Sequence, residues 1–208
     1  MHLLDLDSWR SYDQALAEAK EVLRAGGYII YPTDTLYGIG ANALDGEAVA
    51  KVVEAKRRVE AKPISIIVSD LVMMRECADV PENVAVMLQQ LLPGPFTILL
   101  RKRKEFPPAI TAAGVIGVRI PHHIFITTVV RQLGFPITAT SANLAGGKGP
   151  WRVEDVPKEM LEGAGLVVDG GPTRWKEGST VIDFTLEKPQ IVRKGAQHEL
   201  AAEVIGSP

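Results

Sequence analysis

The chain has 208 residues and a formal net charge of −2; 46% of the residues are hydrophobic and 23% are charged. That is enough apolar chain to bury a sizeable core, and the near-neutral balance excludes a general nucleic-acid-coating role, which rests on excess lysine and arginine. A single cysteine, Cys77, excludes an internal disulfide and a cysteine-based zinc site, no apolar run approaches the roughly 20 residues of a membrane span, and the acidic start "HLLDLDSW" lacks a signal-peptide pattern, so a cytoplasmic protein is expected.

Taken in chain order, Ser11 with Gln14 three residues on is a capping-box signature. Leu16, Ala19 and Leu23 then line one helical face, which Gly26-Gly27 ends. "YIIY" (28–31) is a strand. A second helix is expected from about Asp45 to Arg58, with Val49, Val52 and Val53 on its apolar face. "ISIIV" (64–68) reads as a strand, Ser69 as the cap of a third helix, and Pro81 as the first turn of a fourth, which "PGP" (93–95) breaks. "FTILL" (96–100) and "IGVRIP" (116–121) are strands, followed by a helix at 122–133. Its adjacent His122 and His123 have poor metal-ligand spacing. "ITAT" (137–140) is a strand that opens into the glycine-rich loop "SANLAGGKGP". "LVVD" (166–169), "STVIDF" (179–184) and "QIVRKG" (190–195) complete the strands, and the tail beyond Gly195 is expected to fray. Strands interleave with helices and no linker divides them. The expectation is therefore one α/β (α+β) domain over 1–208, core about 10–195, with a twisted mixed sheet.

Familiar nucleotide motifs fail. "AGGKGP" has Ala142 where a P-loop needs its first glycine and Gly149 where it needs serine or threonine. "GIGANA" has Ala43 at the third glycine of a dinucleotide fingerprint. Neither a G-x-S-x-G elbow nor an H-E-x-x-H motif is present.

Three polar stretches remain. In "IIYPTDTLYGIG" (29–40), Thr33, Asp34, Thr35 and Tyr37 crowd the mouth of a strand, either as plain turn chemistry or as a ligand seat. In "AKRRVEAKP" (55–63), cations at a helix C-terminus complement the macrodipole, yet Lys56 falls on the inward stripe with Val49, Val52 and Val53 and must snorkel or meet an anion. With Arg58 and Lys62 it would form a self-repelling cluster. At about 4 Å and an effective dielectric near 20, each contact with a phosphate is worth on the order of 4 kcal/mol before desolvation. In "TATSANLAGG" (138–147), Thr138, Thr140, Ser141 and Asn143 end a strand, and ligands of α/β sheets favour the carboxyl ends of strands.

"YPTDTLYGIGANA", Lys56 and Arg58 followed by "KP" (62–63), "TSAN" (140–143), "GSTVID" (178–183) and "IVRKG" (191–195) together resemble the YrdC-like threonylcarbamoyl-AMP synthase family, in its short, single-domain form. The resemblance implies a twisted mixed sheet around a concave basic cavity. It implies condensation of L-threonine, bicarbonate and ATP, with Mg²⁺ on the phosphates, to threonylcarbamoyl-AMP and pyrophosphate. The product feeds threonylcarbamoyladenosine formation in certain tRNAs through a separate transferase complex. By the same resemblance Thr33, Arg119 and Ser179 seat threonine; Lys56, Arg58, Lys62, Ser141, Asn143 and Arg193 bind ATP; Tyr37 and Thr35 shape the pocket. Lys56 and Arg58 are the expected catalytic cations, whose alanine variants should lose rate far more than stability. Val59 stands where the family commonly has proline.

A different class stays open: an RNA-binding module without synthase activity, using "LLRKRKEF" (99–106). That run is more simply a solvated strand end, and its one aromatic, Phe106, offers little for base stacking.

Overall fold

Short-range chemistry sets the element boundaries in the computed structural model, which describes residues 2–57 and 62–206. After a first strand, β1 (Leu3–Asp5), helix α1 runs from Trp9 to Arg24. Ser8, not Ser11, is its N-cap, and Ser11 returns the bond to the Ser8 backbone N–H. The box is thus built from two serines, three residues upstream of the expected position. Strands β2 (Ile29–Tyr31) and β3 (Gly38–Gly40) follow, then α2 (Gly46–Ala55), whose N-cap Asp45 accepts from Glu47 and Ala48 N–H. Strand β4 (Ser65–Ile67) leads to α3 (Leu71–Cys77), capped by Asp70 where Ser69 was expected; Ser69 instead donates to the Asp70 carboxylate. A 3₁₀ turn (Glu82–Val84) precedes α4 (Ala85–Leu91), then β5 (Phe96–Arg101), β6 (Val115–Arg119), α5 (Ile124–Leu133) and β7 (Ile137–Ser141). The chain continues through α6 (Lys158–Gly163), β8 (Leu166–Asp169), β9 (Thr180–Asp183), β10 (Gln190–Arg193) and α7 (His198–Gly206).

The last of these corrects the expected frayed tail. Ala201 and Val204 are buried, and α7 packs against α4, β9 and β10. An apolar pair one turn apart is enough to dock a short helix.

All ten strands join one mixed sheet, in the order β1-β8-β2-β3-β7-β4-β6-β5-β9-β10. β8 runs parallel to both β1 and β2, as do β4 to β6 and β5 to β9; the remaining neighbours are antiparallel. Helices flank the sheet and bury its apolar face, with α1 running alongside α5 and Tyr12 meeting Phe125 edge to face.

β3 was not expected as a strand, because "GIG" carries the glycines of a turn. Its glycines have a packing reason. A Cβ at Gly38 would lie 2.7 Å from Tyr31 Cζ, and one at Gly40 would lie 2.7 Å from Tyr31 Cε1. The Tyr31 ring therefore lies directly on the β3 backbone, and its hydroxyl donates to the Thr138 carbonyl at 3.0 Å. Thr138 is turned inward as well. Its hydroxyl bonds the Ile39 carbonyl and accepts the Ala41 N–H, so it stitches β3 to β7 rather than facing a ligand.

Candidate active site

Side chains alternate across a strand, so residues two apart share a face. Thr97 and Leu99 on β5, Gly117 and Arg119 on β6, and Ala139 and Ser141 on β7 all line a single cleft of about 420 Å³. Ser65 and Val181 join from β4 and β9, and Arg193 from β10. The floor is thus one face of the sheet, not the carboxyl ends of its strands as the general α/β rule suggested. Small residues make the hollow: a Cβ at Gly117 would lie 2.5 Å from Ser65 Oγ.

Eight of the eleven residues nominated from the sequence line this cleft: Thr33, Thr35, Tyr37, Lys62, Arg119, Ser141, Ser179 and Arg193. Lys56 and Asn143 sit beneath one wall. Arg58, like Val59, lies outside the described residues.

The wall after β2 is a hydroxyl turn. Thr33 Oγ1 donates to the Leu36 carbonyl at 2.7 Å and accepts the Thr35 and Leu36 N–H groups. The turn reading holds, and the turn chemistry is what shapes this wall of the cleft. Tyr37 lines the cleft, but its hydroxyl is committed to the Asp169 carboxylate at 3.0 Å and the Gly171 carbonyl at 2.8 Å. Burial holds the phenol far above its usual range, so it is a fixed pin and not a proton donor in this chemistry.

Arg119 carries the main charge on this side. Its Nη2 donates to Asp34 Oδ1 at 3.2 Å and to Thr35 Oγ1 at 2.9 Å, while Nε is buried without a partner. Across the cleft, Arg193 donates to the Ser179 carbonyl at 2.7 Å and to Ser179 Oγ at 2.9 Å. Ser179 Oγ also shares a 2.7 Å hydrogen bond with Thr97 Oγ1. The Arg193 pKa is lowered, first by burial and then by the charge of Arg119. The two guanidiniums feel each other through the cleft, and an anion between them would relieve that repulsion.

The opposite wall is "TSAN". Ser141 Oγ bonds Asn143 Oδ1, and Asn143 Nδ2 ties down the Leu144 and Gly147 carbonyls at 2.8 and 2.7 Å. Lys56, only 4% exposed, props this wall from behind. Its ammonium donates to the Ser141 carbonyl at 2.5 Å and the Asn143 carbonyl at 2.9 Å, and its own carbonyl accepts the Ala145 N–H at 3.1 Å. The helical stripe pointed Lys56 inward as the sequence implied, where its ammonium meets the backbone carbonyls of Ser141 and Asn143.

Sequence reasoning named Asp34 without giving it a role, and missed Thr97 and Ser65 altogether. Period-two alternation of small or hydroxyl residues in β4, β5 and β7 was the available signal. The cationic run 101–104 lies elsewhere: Lys102 pairs with Glu105 and Arg103 with Asp79, while Phe106 is buried in the core and offers no stacking face.

Behind the Asp34–Arg119 pair, His123 Nδ1 is buried without a hydrogen-bond partner. Burial lowers its pKa from the ordinary 6.5; Asp34 pulls the other way, and His122 adds to the lowering. The unfolded chain therefore takes up this proton before the folded one does. The contribution of a neutral His123 is fully present above 6.5 and is lost as the pH falls below it. The melting temperature should drop between neutral and mildly acidic pH, and His123→Gln should flatten that slope.

The open face of the mixed sheet gathers hydroxyls and three cationic side chains, Lys62, Arg119 and Arg193, into one hollow. A sequence profile of the Sua5/YciO/YrdC family, described as "Telomere recombination", matches residues 21–195, and the chain belongs to this family. The threonylcarbamoyl-AMP synthase of Bacillus subtilis is 31% identical over 205 residues, covering 97% of this chain and 59% of its own length. A Methanocaldococcus jannaschii protein provisionally given the same name is 40% identical over 177 residues, 85% of this chain and 83% of its own. The crystal structure of Pyrococcus abyssi Sua5 complexed with L-threonine superposes with a TM-score of 0.90 at 31% identity, covering 99% of this chain and 60% of that one. The chain thus spans roughly 60% of the length of the Bacillus and Pyrococcus relatives.

Proposed function

We propose that the protein is an L-threonylcarbamoyladenylate synthase, a nucleotidyltransferase that joins L-threonine, bicarbonate and ATP and releases pyrophosphate. The observation that carries this reading is the convergence of Arg119, Arg193 and Lys62 with the Thr33 and Ser141 walls on one cleft. The hollow falls in the usual range of ligand pockets, about 300–1,000 Å³. The family relationship and the threonine-bound Sua5 neighbour support the same reading.

On this reading Arg119 receives the threonine carboxylate, for which a planar guanidinium is suited. Thr33 and Ser179 bound the same subsite. Lys62, Ser141 and Arg193 face the ATP phosphates, and Asn143 fixes the loop. The threonine amine condenses with bicarbonate to a carbamate, with loss of water. A carbamate oxygen then attacks the α-phosphorus, and the bond to the pyrophosphate oxygen breaks in line. The protein's contribution is positioning and charge stabilisation of two anions that otherwise repel. No enzyme nucleophile takes part.

Among the described residues no cluster of three or more histidine, cysteine or acidic side chains could hold a metal. On this reading Mg²⁺ arrives with the ATP phosphates as part of the substrate. Among the described residues, no helix is long and apolar enough to cross a membrane; a cytoplasmic location follows from the proposed tRNA-directed product, which a separate transferase complex would consume.

Pyrophosphate release should require ATP, threonine and bicarbonate together, and labelled bicarbonate should appear in an adenylate. Threonine-independent ATP hydrolysis, or salt-sensitive RNA binding with no turnover, would falsify the synthase assignment.

A further inference from the structure

Asp34 is a deeply buried charged side chain beside the cleft, with 2% of its side chain accessible against 11% for its partner Arg119. A carboxylate so buried is costly unless every oxygen is matched. Here both are: Oδ1 accepts from Arg119 Nη2 at 3.2 Å, and Oδ2 accepts the His122 backbone N–H at 2.9 Å. Its own carbonyl accepts the Trp175 N–H at 3.0 Å, tying the loop before Ser179 to the same point.

The consequence for Arg119 follows from counting its donors. A guanidinium has five N–H groups, one on Nε and two on each terminal nitrogen. The two on Nη2 go to Asp34 and Thr35, and the one on Nε is sealed from solvent without a partner. Only the Nη1 end is left to face the cleft. A side chain with several free torsions is thereby held in one orientation, and its charge is balanced opposite Arg193.

We propose that Asp34 is a positioning residue: it locks the Arg119 guanidinium so that its Nη1 end meets the carboxylate of the amino-acid substrate. This rests on the synthase reading above. Asp34 touches neither substrate nor the reacting atoms; it acts through Arg119.

Asp34→Asn is expected to raise the threonine KM about tenfold, with the ATP KM and the rate at saturating threonine within about twofold of wild type, the pattern of lost ground-state binding at one subsite. Equal rises in the threonine and ATP KM values of a folded variant, or no rise, overturn the proposal. A second readout needs no turnover. The side-chain Nε–H of Arg119, identified by its loss in Arg119→Lys, should exchange slowly with solvent in the wild-type protein and rapidly in Asp34→Asn; unchanged protection also overturns the proposal. Absence of threonine-dependent turnover in the wild type defeats the synthase reading alone, since the exchange experiment still decides whether Asp34 holds Arg119. If Asp34→Asn does not fold, Asp34→Glu keeps the charge and shifts it by one methylene. It should raise the threonine KM and leave the ATP KM intact, and an unchanged threonine KM in a folded Asp34→Glu protein sinks the inference.

Discussion

Arg119→Lys is expected to raise the threonine KM by about 10- to 100-fold, because a charge-assisted hydrogen bond is worth about 1.5–3 kcal/mol and each 1.4 kcal/mol is tenfold. Lysine is the informative substitution. Alanine would leave Asp34 buried and uncompensated, which costs about 3–5 kcal/mol and would confuse lost binding with lost fold. An ammonium keeps the charge beside Asp34, but it cannot reach Asp34, Thr35 and a ligand carboxylate from three sides of one plane. The fork of Arg119 anchors Nη2 on two protein oxygens and leaves Nη1 as the end for the cleft. Steady-state kinetics with threonine varied at saturating ATP and bicarbonate make the measurement. A threonine KM that stays at the wild-type value removes Arg119 from the amino-acid subsite.

How much of this was legible beforehand depends on whether a residue's role is local or collective. The positions of α1 and α2 followed from periodicity, and the buried Leu16, Ala19 and Leu23 lie where the 3.6-residue repeat put them, whereas the short α6 and α7 were not expected. The mixed sheet followed from strands with and without intervening helices. Cap identities slipped by a few residues, because Ser8 and Ser11, or Ser69 and Asp70, are chemically equivalent candidates until the chain's entry angle is fixed. β3 was hidden because glycine is read as a turn residue; only the Tyr31 ring across the sheet explains it, and that contact spans strands. Eight of the eleven nominated residues line one cleft, yet its floor was not legible. Thr97, Gly117 and Ala139 become a surface only when β5, β6 and β7 stand in register, with Leu99 opposite Gly117. Asp34 shows the same limit. In the sequence it is one polar residue in a turn, and its pairing with Arg119 across 85 positions exists only in three dimensions.

Lys56 is where the structure most changes the expected experiment. On the sequence alone, Lys56→Ala should reduce rate and spare stability. The side chain is instead buried, with its ammonium on the Ser141 and Asn143 carbonyls, and its own carbonyl holds Ala145. Truncation leaves the Asn143 carbonyl unmatched, at about 1–3 kcal/mol, while the Ser141 carbonyl keeps the Asn143 N–H at 2.9 Å. Lys56→Met keeps most of the apolar stem and isolates that loss, so a fall in stability of roughly 1–3 kcal/mol is expected in denaturant unfolding. Turnover should fall at least 100-fold, on the order of 3 kcal/mol in transition-state stabilisation, because the wall that faces the phosphates includes Ser141 and is braced by Asn143. The two losses separate the possible roles of the lysine. If conditions that restore the fold, such as low temperature or a stabilising osmolyte, also restore turnover, Lys56 is only the brace of the loop. If the fold returns and turnover does not, the ammonium also serves the triphosphate once ATP is bound, giving up a carbonyl contact to do so. A Lys56→Met protein with wild-type stability contradicts the buried geometry itself, since the Asn143 carbonyl cannot lose its charged donor inside this wall at no cost.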